Sequence, residues 1–367
     1  MNGMSTDVPA ERLYKELITR TIERIREKTN GRHITLMEVC GTHTMAISSC
    51  GLRVLLPESV RLISGPGCPV CVTPNGYIDY AAAIPQQRDD CIITTFGDMM
   101  RVPGSSASLA DVRSRGGDIR IVYSTTEALK IARKNPGKNV VFLGVGFETT
   151  APTIAASIIT AHREGVVNYS VLCALKVIPS TMEALVLNKK IGIDGFICPG
   201  HVSTIIGSYP YEFLAEQYGK ACVIAGFEPL DICRSVEMLV DQIINDKPAV
   251  EIQYTRAVKP EGNPAAVRVM YEVFETCESE WRGIGVIPNS GLKIKNNYRT
   301  YDAKTMVPVT PEPLKEPSGC ICGEVLQGLK IPNDCPLFET VCTPEKPVGA
   351  CMVSSEGTCA AYYKYGV

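Results

Sequence analysis

Apolar residues recur along this chain in rhythms that change twice. Leu13, Leu17, Ile18, Ile22 and Ile25 share one helical stripe, with N-cap oxygens offered by Ser5, Thr6 and Asp7, Pro9 in the first turn and Asn30-Gly31 as the stop. From there to about residue 245 the chain repeats a theme of short apolar run, glycine-bearing turn and amphipathic stretch, the pattern of parallel α/β units. Strands are expected at 34–39, 60–64, 92–96, 119–123, 140–145, 169–174, 195–198 and 222–225. Eight strands suit two small sheets, and Gly146-Phe147-Glu148 is echoed by Gly226-Phe227-Glu228, each just after a strand. The expected fold class is α/β, with two similar small parallel-sheet domains divided near residues 120–135.

After Asp246 the texture breaks into segments interrupted by proline and glycine, with strand-like runs at 250–258, 266–274 and 284–287. The last 48 residues hold six cysteines and little apolar periodicity, so they read as a third, smaller unit organised by a metal rather than by a core.

Composition narrows the classes of function. The 367 residues are 45% apolar, 21% charged and 7% aromatic, as in a globular protein. A net charge of -2 without a basic run argues against nucleic acid or an anionic membrane as partner. The apolar run 140–147 is far shorter than the roughly 20 residues that span a bilayer, and residues 1–7 carry no secretory pattern, so a cytoplasmic location is expected. In a reducing compartment, 16 cysteines call for metal ligation, redox chemistry or plain burial. Cys91, Cys173, Cys198 and Cys222 sit in apolar runs and, with Cys233 and Cys277, read as buried core.

Three groups of residues carry candidate chemistry. Cys40, in Cys40-Gly41-Thr42-His43-Thr44, stands at the carboxyl end of the first strand where a helix begins; a helix N-terminus favours thiolate, making Cys40 a nucleophile or metal ligand with His43 beside it for proton transfer. Cys68 and Cys71, in Gly65-Pro66-Gly67-Cys68-Pro69-Val70-Cys71, form a pair on a turn that suits reversible disulfide chemistry better than half of a metal site. Glu148 in Gly146-Phe147-Glu148-Thr149-Thr150-Ala151-Pro152 and His201 in Cys198-Pro199-Gly200-His201-Val202-Ser203-Thr204 follow strands and bring a carboxylate and an imidazole to the same sheet edge. Glycine-rich phosphate motifs are missing, so no nucleotide cofactor is expected.

In the tail, Cys320, Cys335, Cys342 and Cys359 are separated by 14, 6 and 16 residues, with Cys322 and Cys351 interspersed. Soft sulfur ligands select iron-sulfur or zinc, and the lack of the Cys-x2-4-Cys pairs of zinc ribbons and of a nearby histidine favours iron-sulfur over zinc. Spacing alone does not choose four of the six.

Taken together, these motifs and the tail from Cys351-Met352-Val353-Ser354-Ser355-Glu356-Gly357-Thr358-Cys359 to Tyr365 resemble the HypD family of hydrogenase maturation factors over nearly the whole chain. The resemblance implies a [NiFe]-hydrogenase maturation scaffold that, with the chaperone HypC, assembles and carries an Fe(CN)2CO moiety, taking cyanide from HypE with HypF upstream. It implies a [4Fe-4S] cluster on Cys320, Cys335, Cys342 and Cys359, with Cys322 and Cys351 as non-ligands, iron at Cys40 with His43 beside it, and a thiol pair at Cys68 and Cys71. It also implies a cluster domain that takes in both termini, giving 31–122, 123–245, and 1–30 joined with 246–367. The expected protein is a monomer that forms hetero-complexes, a redox-active scaffold rather than a turnover enzyme, in which the cluster relays electrons through the pair to iron at Cys40. The alternative is a stand-alone thiol-disulfide or iron-sulfur oxidoreductase.

Overall fold

The computed structural model describes residues 8–315 and 317–366. The N-cap expected at Ser5 to Asp7 lies outside the described residues. Helix α1 runs Val8–Thr29. The strands follow as β1 Ile34–Glu38, β2 Val60–Ser64, β3 Cys91–Thr95, β4 Ile119–Ile121, β5 Asn139–Gly146, β6 Tyr169–Leu175, β7 Gly195–Pro199 and β8 Ala221–Ala225, then β9 Val250–Ile252, β10 Phe274–Trp281 and β11 Gly285–Ile294. All eight strands expected from the apolar runs are present. β3, β7 and β8 are buried at every position, as strands covered on both faces by helices must be.

Two parallel sheets form, in the orders β2-β1-β7-β8-β9 and β4-β3-β5-β6, and β10 pairs with β11 as an antiparallel hairpin. The division expected near residues 120–135 does not separate the sheets. The chain leaves the first sheet after β2, builds all four strands of the second, and returns at β7, where Leu36 pairs with Gly195. Apolar periodicity marks a buried strand but not its neighbour, and β1 is buried on both faces and takes a partner on each side. The echo of Gly146-Phe147-Glu148 and Gly226-Phe227-Glu228 does not mark equivalent strands either, because β5 is the third strand of its sheet in chain order and β8 the fourth.

The two termini also separate. α1 packs on helix Pro229–Ile244 of the five-stranded sheet: Ile22 and Ile25 enter its core, Arg24 Nε–H donates to Glu237 Oε1 at 2.7 Å and Lys28 Nζ–H to Asp241 Oδ2 at 2.8 Å. β9 is that sheet's outer strand, so helix α1 and residues 250–252 join the first sheet rather than the cysteine-rich tail. The run expected as strand-like at 266–274 is mostly helix Pro264–Val273, because Asn263 Oδ1 accepts the Ala266 N–H at 3.1 Å and Pro264 fits the first turn. The hairpin is anchored by Trp281, fully buried, whose Nε1–H donates to Ser290 Oγ at 2.8 Å and whose ring stacks 6.0 Å from Phe147. Among the described residues no helix is long and apolar enough to cross a membrane.

Candidate functional site

Both parallel sheets are wound outward from a central pair, β1 and β7 in one and β3 and β5 in the other. At such a reversal the connections leave in opposite directions and open a crevice at the carboxyl ends of the strands. Cys40 follows β1, Pro199 ends β7, and Phe147 to Thr150 follow β5. These segments meet in one cleft of about 430 Å³, lined by Cys40, Thr42, Gly67, Thr149, Thr150, His201 and Glu356 among others.

Cys40 has an extended backbone and is the N-cap of helix α2, Gly41–Ser49. The Gly41 N–H donates to the Gly67 carbonyl at 3.0 Å, and a Cβ on Gly67 would stand 2.2 Å from the Cys40 nitrogen. The Gly65–Cys71 loop is therefore laid directly on the backbone of Cys40. Burial pushes the Cys40 thiol up to about 11, against the opposing pull of the His43 and Thr42 amides. Desolvation thus outweighs the helix N-terminus that was expected to favour thiolate.

Helix α3 spans Leu52–Leu55 and helix α4 Pro69–Val72. Cys68 caps α4, its sulfur accepting the Cys71 N–H at 3.3 Å, so both thiols ride one turn. Both are buried, and Cys71 is held well above the ordinary thiol range by desolvation.

The polar residues divide. His201 lines the cleft, its ring stacked 4.0 Å from Phe227. His43 lies on another side of Phe227, at 4.7 Å, and is fully buried. Its Nε2 lies 2.9 Å from the Gly226 carbonyl and 3.2 Å from that of Ala225, which fixes the proton on Nε2 and leaves Nδ1 without a partner. Desolvation lowers His43 to about 4, so it is neutral and braces the floor of the site rather than facing the cleft. Glu148 also lies outside the cleft: Oε1 accepts the Ile178 N–H at 2.9 Å, Oε2 has no partner, and Thr149 and Thr150 line the cleft instead.

Desolvation raises Glu148 to about 7. A raised carboxyl favours the protonated folded state, so its contribution is fully present below about pH 4.5 and is lost as pH rises through about 7. Glu148→Gln, neutral at every pH, is expected to match wild type near pH 4.5 and exceed it near pH 8 by on the order of 3 kcal/mol. Urea unfolding at the two pH values measures this, and a gap that does not widen with pH would count against it.

All six tail cysteines line one tight cavity of about 20 Å³, whose remaining wall is Gly349 and apolar side chains such as Val325, Leu337, Phe338 and Met352. Among the described residues no group of three or more His, Cys, Asp or Glu side chains is gathered to hold a single metal ion. The chemistry of the wall nevertheless fits an iron-sulfur group, since its only ligating atoms are sulfur and the Val348 N–H donates to Cys342 Sγ at 3.3 Å. A Cβ on Gly349 would come 2.8 Å from Cys320 Sγ and crowd that wall.

Cys322 and Cys351, non-ligands by the resemblance, occupy the ground between the sites. Their sulfurs are 2.9 Å apart, and Cys351 also interacts with Cys71 and Cys359. A line of thiols thus runs from Cys68 and Cys71 through Cys351 and Cys322 to the cavity. Spacing gives no sign of this placement, because a four-ligand site leaves two of the six cysteines over. It gives none of Glu356 either, whose Oε1 accepts the Thr42 hydroxyl at 2.7 Å and whose Cβ would meet a side chain on Gly41 at 2.5 Å. The segment 351–359 therefore touches both the cleft and the cavity.

Known proteins share this sequence along its length. A family model described as "HypD: Hydrogenase formation hypA family" matches residues 16–366. The chain is 48% identical over 361 residues to hydrogenase maturation factor HypD2 of Bradyrhizobium diazoefficiens, covering 96% of this chain and 95% of that one. To hydrogenase maturation factor HypD of Cupriavidus necator it is 47% identical over 360 residues, with 96% and 95% covered. To that of Escherichia coli it is 45% identical over 357 residues, with 95% of each covered.

Proposed function

This chain belongs to the HypD hydrogenase-formation family and is a hydrogenase maturation factor, and we propose that it holds the iron destined for a [NiFe] hydrogenase while cyanide and carbonyl ligands are attached. The observation that carries this reading is the placement of Cys40 in the cleft where both sheets reverse. Iron bearing strong-field diatomics favours a soft sulfur donor and a site shielded from water. Cys40 supplies the sulfur, and a HypC-type chaperone closing the cleft supplies a second thiolate and the shielding. HypE delivers the cyanide, with HypF upstream of it.

The cleft residues divide the work of binding. Thr42 is held by Glu356 and fixes the first turn of α2, Thr149, Thr150 and His201 offer hydrogen-bond partners to cyanide nitrogens, and Phe227 and His43 keep the floor rigid. Releasing cyanide from a thiocyanate consumes two electrons and two protons: R–S–C≡N + 2 e⁻ + 2 H⁺ → R–SH + HCN. Closing Cys68 and Cys71 to a disulfide supplies that number of each. Cys351 and Cys322 stand where a second thiol pair can exchange with the first. Cys320, Cys335, Cys342 and Cys359 would hold a [4Fe-4S] cluster, which when bound supplies single electrons to this part of the chain.

The thiol line also favours a second reading, a self-contained oxidoreductase that reduces a soluble acceptor without a chaperone. Infrared spectroscopy separates the two. The chain, purified anaerobically with its HypC-type partner from cells carrying the whole maturation set, is expected to show cyanide and carbonyl stretching bands. Silence with the partner bound and the brown chromophore present would move the assignment to the oxidoreductase.

A further inference from the structure

Arg282 occupies the turn between β10 and β11, next to the buried Trp281, and is itself only 6% exposed. Its backbone N–H donates to the Val72 carbonyl at 2.9 Å and its Nε–H to the Thr73 carbonyl at 2.7 Å. Those carbonyls lie at the end of α4, the turn that carries Cys68 and Cys71. One terminal nitrogen of the guanidinium is buried without a partner. On its other side Arg282 lines a pocket of about 460 Å³ together with Cys320, Cys322 and Gly349. The turn is pressed against the tail: a Cβ on Gly283 would stand 2.2 Å from the Gly323 Cα, and Gln327 Nε2–H donates to the Gly283 carbonyl at 2.9 Å.

A guanidinium is always charged, and a buried charge is costly unless an opposite charge meets it. Buried Arg53 has Glu38 at 2.5 Å, whereas Arg282 forms no ion pair among the described residues. What the fold brings beside it is sulfur, since Cys320 and Cys322 line the same pocket.

We propose that Arg282 is the counter-charge of the tail cysteine centre and a positioning residue of the thiol line, fixing α4 with one edge while its free edge stabilises added negative charge at Cys320 and Cys322. The proposal rests on the reading that the tail holds an iron-sulfur cluster. Reduction adds a negative charge to such a centre, so a cation within its low-dielectric surroundings makes the reduced form more favourable.

The test is a redox titration of the full-length, anaerobically purified protein, followed by electron paramagnetic resonance, in wild type, Arg282→Gln and Arg282→Lys. At the wild-type midpoint, Arg282→Gln is expected to lower the ratio of reduced to oxidised centre at least tenfold, a shift of 59 mV for a one-electron couple. Arg282→Lys, which keeps the charge but not the planar fork, is expected to recover most of that ratio. An unshifted Gln variant, or a Lys variant shifted as far as Gln, overturns the proposal, since a role confined to packing predicts one or the other. If the Gln variant fails to fold, a tenfold shift in the Lys variant alone overturns it. A wild-type protein without chromophore or resonance signal removes the cluster reading itself, a failure distinct from an unshifted midpoint.

Discussion

Cys40→Ala is expected to erase the cyanide and carbonyl bands from the complex while leaving the brown chromophore of the tail unchanged. Among the described residues no other thiol lines the cleft: the Gly65–Cys71 loop presents Gly67 and Pro69 to it, with Cys68 and Cys71 buried. A lost Cys40 sulfur therefore has no substitute from the same chain. The fold is expected to tolerate the change, because Cys40 makes no side-chain capping bond to α2 and alanine keeps its extended backbone. The cost in stability is about 1 kcal/mol, that of an ordinary buried truncation. Cys40→Ser probes the same point through chemistry, since it nearly preserves shape and replaces a soft donor with a hard one, so it is expected to lose the bands as well. Bands of wild-type intensity in either variant, with the partner bound, would show that iron is carried elsewhere.

The strands were legible because most are short apolar runs stopped by glycine or proline, and burial on both faces leaves a run such as Cys91–Thr95 little else to be. Their pairing was not legible. Which strand lies beside β1 depends on where a crossover more than a hundred residues later returns to the sheet, and no local pattern records that. The same limit misplaced α1: its stripe shows that it packs, and only the tertiary structure shows that the surface it packs on is helix Pro229–Ile244. At the site, residues at strand ends were found because the carboxyl edge of a parallel sheet is a predictable place for chemistry. Sorting them required side-chain direction. His43 and Glu148 sit at the right edge, yet the first turns toward the carbonyls of Ala225 and Gly226 and the second toward the amide of Ile178. Glu356 and Arg282 were out of reach for another reason. Each acts on residues far away in sequence, Thr42 and Thr73, from loops whose composition carries no signal of its own.

Gly67→Ala is expected to lower iron loading by about a hundredfold, as a displacement on the order of 1 Å does to a positioned site, while leaving the tail chromophore in place. The methyl group would meet the Cys40 nitrogen at 2.2 Å, the Cys40 Cα at 2.4 Å and the Val39 carbonyl carbon at 2.6 Å. All three are backbone atoms at the end of a buried strand paired on both sides, so no side chain can rotate to make room. Either the Gly65–Cys71 loop lifts, carrying the thiol pair away from Cys40 and breaking the Gly41 N–H to Gly67 carbonyl bond, or the end of β1 yields. Each path moves Cys40 relative to Cys68, and the strain costs on the order of 1–3 kcal/mol. Gly76→Ala is the control: it lies in the helix that follows the same loop, nothing stands within 4 Å of its added methyl, and alanine favours a helix. That variant is expected to load iron as wild type does and to be slightly more stable. Equal loading in both variants would mean that contact between the loop and Cys40 is packing alone, and the thiol pair would then lose its assigned place beside the iron.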